Sequence, residues 1–162
     1  MISAILLIVI AAVIVVSSVS TATLAVEVTG APVGELGRVI IDIESIEMHR
    51  WGARENAGWL ILSEEITLDL SQDAPARTIG LERELPLGRY DKISVIIGNV
   101  TLLSEGGPVV AGIPQNRMDA EIQLQLDFGA NANLRVSIDY VEEALVAEQV
   151  FKGSLTVSTS VQ

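Results

Sequence analysis

From Leu24 onward the apolar residues recur with a period of two, and this alternation restricts the chain to strands more tightly than any other feature. Leu24, Val26 and Val28 alternate with Ala25, Glu27 and Thr29 before Gly30-Ala31-Pro32 closes the segment. An apolar side chain at every second position suits a pleated strand with one buried face, whereas a helix needs spacings of three and four. Val39, Ile41 and Ile43 share one face, but Ile46 and Met48 fall on the other parity. A β-bulge near Glu44-Ser45 returns both sets to the same side.

The same spacing predicts strands over Trp59–Leu62, Ile66–Leu70, Thr78–Leu85, Lys92–Ile97, Val100–Leu103, Val109–Gly112, Glu121–Phe128, Leu134–Tyr140 and Ser154–Val161. The clearest are Ile122, Leu124, Leu126, Phe128 and then Leu134, Val136, Ile138, Tyr140, joined by Gly129-Ala130-Asn131-Ala132-Asn133, which reads as a hairpin loop. Gly106-Gly107 reads as a turn, and Val141–Glu148 as one or two helical turns. Many short strands separated by Gly, Pro and Asn imply an antiparallel β-sandwich, Ig-like or related, over residues 23–162.

The first 22 residues differ. No side chain from Met1 to Val26 is charged, and Ala4 to Val16 holds only Ala, Ile, Leu and Val. A helix that is apolar all round must be buried in lipid or among other helices, and 21 residues from Ile2 to Ala22 span about 30 Å, enough to cross a bilayer. A cleaved secretory signal normally opens with a basic stretch, and a plain anchor is normally flanked by positive charge. Here the first basic residue is Arg38. The expectation is therefore a mature chain that starts at its apolar helix, with Ile2, Ile5, Leu6, Ile8, Val9, Val13 and Val16 as assembly contacts. The stretch MISAILLIVIAAVIVVSSVS resembles the mature N-terminus of archaeal type IV pilins; Ile5 stands where many bacterial pilins carry a glutamate.

Charge and composition exclude several function classes. Ten Lys and Arg against 21 Asp and Glu give a formal charge of −11, which repels nucleic-acid phosphates. The chain has no cysteine, so it has neither disulfides nor a lipid-modified cysteine anchor. His49 is the single histidine, and a triad or a histidine metal site needs partners that one imidazole lacks. Asp42, Glu44 and Glu47 form the densest acidic group, which reads as a solvated sheet face rather than a calcium loop. Trp51, Trp59, Tyr90 and Tyr140 are either core or a sugar-stacking platform. Asn99-Val100-Thr101 is an N-glycosylation triplet, with Asn99 as the acceptor. No catalytic, cofactor or metal residue is assigned, and an enzyme is not expected.

The order of motifs carries a second resemblance. TLAVEVTGAP, VIIDIESIEMHR, GWLIL with ITLDL, LPLGRYDKISVIIGNVTLL and LQLDF resemble a domain family of unknown function found in bacterial and archaeal surface proteins. The carrying residues are Ala31-Pro32, His49, Leu85-Pro86-Leu87-Gly88-Arg89-Tyr90 and Leu126-Asp127-Phe128, and the match runs from Thr23 to Val157. The resemblance implies a secreted β-sandwich without agreed catalytic residues. Together these readings favour a structural subunit of an extracellular, pilus-like filament: a self-assembling helical homopolymer that resides in the membrane before assembly and touches surfaces or other cells. The alternative is a monomeric, membrane-anchored or secreted surface binding domain, with carbohydrate as a candidate ligand.

Overall fold

Strands with one apolar face bury it by stacking two sheets, and a computed structural model shows that arrangement for the residues it describes, 21–31, 33, 37–71 and 79–162. Among these, the strands in chain order are β1 (Thr21–Gly30), β2 (Arg38–Arg50), β3 (Trp59–Ser71), β4 (Ile79–Pro86), β5 (Gly88–Ser104), β6 (Gly107–Val110), β7 (Arg117–Leu126), β8 (Asn131–Tyr140) and β9 (Gly153–Val161). One sheet has the order β4-β1-β8-β9. The other has the order β3-β2-β5, and β6 and β7 lie in succession along the remaining edge of β5.

The core is built from the alternating residues. Leu24, Val26 and Val28 of β1 and Leu134, Val136 and Ile138 of β8 face Val39, Ile41, Ile43, Ile46 and Met48 of β2 and Ile93, Val95 and Ile97 of β5, all of them buried. Each such side chain contributes roughly 1.5–3 kcal/mol by leaving water. The change of parity in β2 is met by the expected bulge: Glu44 has no partner in β5, and the register skips from Ile43↔Ile97 to Ser45↔Ile96. Predicted segments that looked separate are continuous, since Trp59–Ser71 and Gly88–Ser104 each form one long strand.

Two parts of the sequence reading are corrected. An N-terminal apolar α-helix ahead of a purely antiparallel sandwich was expected to run to Ala22. Instead Thr21 and Ala22 open β1, paired with Pro86 and Leu85, because Ala22 continues the buried row of Leu24 and Val26. The helix among the described residues is the five-residue π-helical turn Ala144–Glu148, and none there is long and apolar enough to cross a membrane. Ile2, Ile5, Leu6, Ile8, Val9, Val13 and Val16 lie outside the described residues. Nor is the sandwich wholly antiparallel, for β1 and β8 run parallel from Thr23↔Asn131 to Gly30↔Ile138. No tight turn joins those two strands, so nothing forces the antiparallel pairing that a hairpin would impose.

The second correction concerns β7 and β8. They do not form a hairpin: β7 pairs with β5, while β8 pairs with β1 and β9. The connection at Asp127–Ala130 is an arch between sheets, closed by Ala130 N–H donating to the Asp127 carbonyl at 3.0 Å, with Gly129 at φ 73°. Both strands still point their apolar sets into the core, one from each sheet. Phe128 is left on the arch at 75% exposure instead of ending a strand.

Candidate ligand-binding site

The connection between β2 and β3, residues 51–58, folds against the start of β5. Arg50 N–H donates to the Gly58 carbonyl at 3.0 Å, Ala57 N–H to Arg54 at 2.8 Å, and Trp51 N–H to the Arg89 carbonyl at 2.9 Å. Gly52 and Gly58 hold φ values of 78° and 84°, which L side chains rarely adopt. At Gly58 there is also no room, since an added methyl would run into the Ala53 side chain.

His49 pins this connection from below. The residue is 4% exposed, with Nδ1 2.7 Å from Asp91 Oδ1 and Nε2 3.3 Å from the Arg54 carbonyl. Both partners are acceptors, so the doubly protonated ring donates to each of them. The hydrogen bond to Asp91 holds the His49 pKa above the ordinary histidine value, against the opposing effect of burial.

Trp59 is enclosed by its neighbours. His49 stands 4.9 Å from it centroid to centroid, the Arg117 guanidinium lies 4.4 Å from the ring, and the indole N–H donates to the Glu55 carbonyl at 2.9 Å. Arg117 in turn pairs with Asp119 at 3.0 Å and Glu47 at 3.4 Å, and Lys92 pairs with Glu55 at 3.3 Å. Trp51 differs, because it remains 59% exposed although Arg89 lies 4.7 Å from its ring centroid. Beside it runs an open groove of about 830 Å³ whose lining includes Trp51, Arg89, Lys92, Glu121, Gln123 and Gln125. Lys92 also borders a smaller hollow of about 310 Å³ formed with Trp59, Glu55, Asn56, Arg117 and Asp119.

This corner is richer in basic residues than the chain as a whole, and five acids, Glu47, Glu55, Asp91, Asp119 and Glu121, share it. Arg50, Arg54, Arg89, Lys92 and Arg117 are half of the ten basic residues. Arg117 and Lys92 are held in ion pairs, whereas Arg50, Arg54 and Arg89 make none among the described residues. Arg50 lies across Gly88 and donates to the Leu87 carbonyl at 3.4 Å.

Residues 21–151 match the family described as a domain of unknown function, DUF4382. The chain belongs to that family. The motif resemblance read along Thr23–Val157 is thereby a membership. No curated protein matches the DUF4382 chain. Among solved structures, a candidate cell adhesion protein from Bacteroides ovatus aligns over 88% of the chain at 10% identity with a TM-score of 0.30. The chain spans 45% of the length of that protein.

The DUF4382 fold separates the four aromatics that the sequence grouped together. Tyr90 is buried, its hydroxyl donating to the Pro86 carbonyl at 2.7 Å, and Tyr140 packs 6.1 Å from Phe151. Of the four, Trp51 is exposed, while Trp59 and Tyr140 are half-buried. Asp42 accepts from Thr67 Oγ1 at 2.9 Å and Glu47 pairs with Arg117, while Glu44 projects from the bulge. Among the described residues no three His, Asp or Glu side chains are grouped to hold a metal. Asn99 is half-buried in mid-β5, its amide donating to Thr101 Oγ1 at 3.1 Å and Asp42 Oδ2 at 3.5 Å.

A further groove, about 770 Å³, crosses the outer face of the four-stranded sheet where Ala25 and Gly80 are small, but its Arg135 is paired with Glu27 at 2.6 Å and it has no aromatic residue. Sequence reasoning missed the arginines around Trp51. Arg50 and Arg54 flank it in HRWGAR and were within reach, whereas Arg89 and Lys92 arrive only through strand pairing.

Proposed function

We propose that this DUF4382 domain is a surface binding module, secreted or held at the cell exterior, that takes carbohydrate in the groove beside Trp51. The observation that carries the reading is an indole left 59% exposed at the edge of an open groove. A flat indole at a groove edge with polar neighbours suits the C–H face of a sugar. Gln123 and Gln125 supply amide donors and acceptors along the same wall.

The reading contains no catalytic step. His49 is enclosed by Asp91 and the Arg54 carbonyl, and its role is to brace the connection that carries Trp51. The partner in this reading is a glycan-bearing surface, met by the groove beside Trp51. The filament reading rests on residues 1–20, outside the described residues, and is not carried forward.

A glycan array probed with the protein and its Trp51→Ala variant tests the proposal. The wild type is expected to retain a set of glycans and the variant to lose them, with affinity down about tenfold or more, as for loss of a buried aromatic contact. A wild type that retains no glycan overturns the reading.

A further inference from the structure

We infer that the ligand of the Trp51 groove is an acidic polysaccharide, whose carboxylate or sulfate groups are held by Arg50, Arg54 and Arg89. This deepens the proposed function and rests on it. Three observations converge. The first is the position of charge: in a chain of net charge −11, the three guanidinium groups without an ion pair among the described residues, other than Arg83 with its short bond to the Leu62 carbonyl, sit at one corner. Arg50 and Arg54 bracket Trp51 in sequence, and Arg89 is joined to Trp51 by the backbone bond at 2.9 Å.

The second observation is that most of the nearby acids are engaged elsewhere, Glu121 on the groove wall being the exception. Asp91 is bound to His49 at 2.7 Å, Glu55 to Lys92 at 3.3 Å, and Asp119 and Glu47 to Arg117 at 3.0 and 3.4 Å. In a protein with 21 acidic residues, pairing these arginines needed only a carboxylate at a neighbouring strand position. Like charges held close together repel, and an anionic ligand relieves that repulsion.

The third is geometric. Arg89 is stacked on Trp51 at 4.7 Å, and Gly88, at φ 144°, lets the Arg50 guanidinium lie over the backbone next to it. The Arg89 guanidinium therefore borders the aromatic platform, and that of Arg50 lies over the adjoining Gly88 backbone. A uronate residue matches that layout, with its ring on the indole and its carboxylate taken bidentate by arginine. An acidic peptide would match the charge but not the platform.

The test is calorimetry on the full chain with polygalacturonate, dextran sulfate, neutral dextran and polyglutamate, for the wild type, Trp51→Ala and the double variant Arg54→Gln/Arg89→Gln. Binding of one or both acidic polysaccharides is expected, about tenfold or more tighter than of neutral dextran, and weakening between about 50 and about 200 mM salt. Whichever binds distinguishes carboxylate from sulfate recognition. The double variant is expected to lose about tenfold while keeping its thermal melting curve, since exposed arginines contribute little to stability. Equal, Trp51-dependent binding of neutral and acidic glycans overturns the acidic specificity and leaves the carbohydrate reading intact. Failure to bind any glycan, here and on the array, overturns both. Polyglutamate bound as tightly as the polysaccharides, with no effect of Trp51→Ala, overturns the inference in favour of an acidic peptide.

Discussion

His49 Nδ1 lies 2.7 Å from Asp91 Oδ1, and this contact ties the end of β2 to β5 directly beneath the connection that presents Trp51. Because the contact raises the His49 pKa, the folded state binds the imidazole proton more tightly than the unfolded state does. The stabilisation is complete below the unfolded histidine value of about 6.5 and is lost as pH rises through the higher folded value. Thermal unfolding is therefore expected to show a fall in melting temperature across that window in the wild type, and no such fall in His49→Gln. An NMR titration that placed His49 below the ordinary value would contradict the account.

Gly52 and Gly58 share almost the same backbone conformation but not the same surroundings. A methyl at Gly52 meets nothing within 4 Å, while one at Gly58 meets Ala53. Gly52→Ala is expected to cost about 1–2 kcal/mol, the strain of a left-handed conformation alone. Gly58→Ala is expected to cost more and to disorder the Trp51 connection. Urea denaturation of the two variants decides it, and equal losses would show that the connection absorbs the clash.

The two tyrosines give a matched pair. Tyr90 donates to the Pro86 carbonyl at 2.7 Å, closing the crossing from β4 to β5, so Tyr90→Phe leaves that carbonyl without its partner and is expected to cost about 1–3 kcal/mol. The Tyr140 hydroxyl is buried without a hydrogen-bond partner, and burial, then Glu142, push its pKa up to about 12. Tyr140→Phe is expected to be neutral or stabilising. Chemical denaturation with the opposite ranking would reverse the assignment.

Asn99 is expected to carry a glycan when the protein is produced in a host that modifies Asn-X-Thr. Its amide bonds to Thr101 and Asp42 would then be exchanged for solvent contacts of the sugar. Intact-mass measurement checks this against Asn99→Gln. A wild type of unmodified mass from such a host would remove the site.

The alternation in the sequence determined where strands form, which side of each is buried, and even that β2 needs a bulge at Glu44, since Val39, Ile41, Ile43 and Ile46, Met48 cannot otherwise face one core. It determined the turn at Gly106-Gly107, where Ser104 Oγ donates to the Gly107 carbonyl at 3.2 Å. Pairing was beyond it. Whether a strand is apolar on one face is a property of that strand alone, but its neighbour depends on which edges are still open when the sheets meet. Leu126 and Leu134 accordingly look like two sides of a hairpin and lie in opposite sheets, and β1 accepts β8 in parallel. The candidate site follows the same division. HRWGAR shows a tryptophan between arginines, but only the pairing of β2 with β5 brings Arg89 onto Trp51 and Asp91 onto His49. Tyr90 and Tyr140, indistinguishable from the tryptophans by composition, are drawn into the core because their strand positions face it.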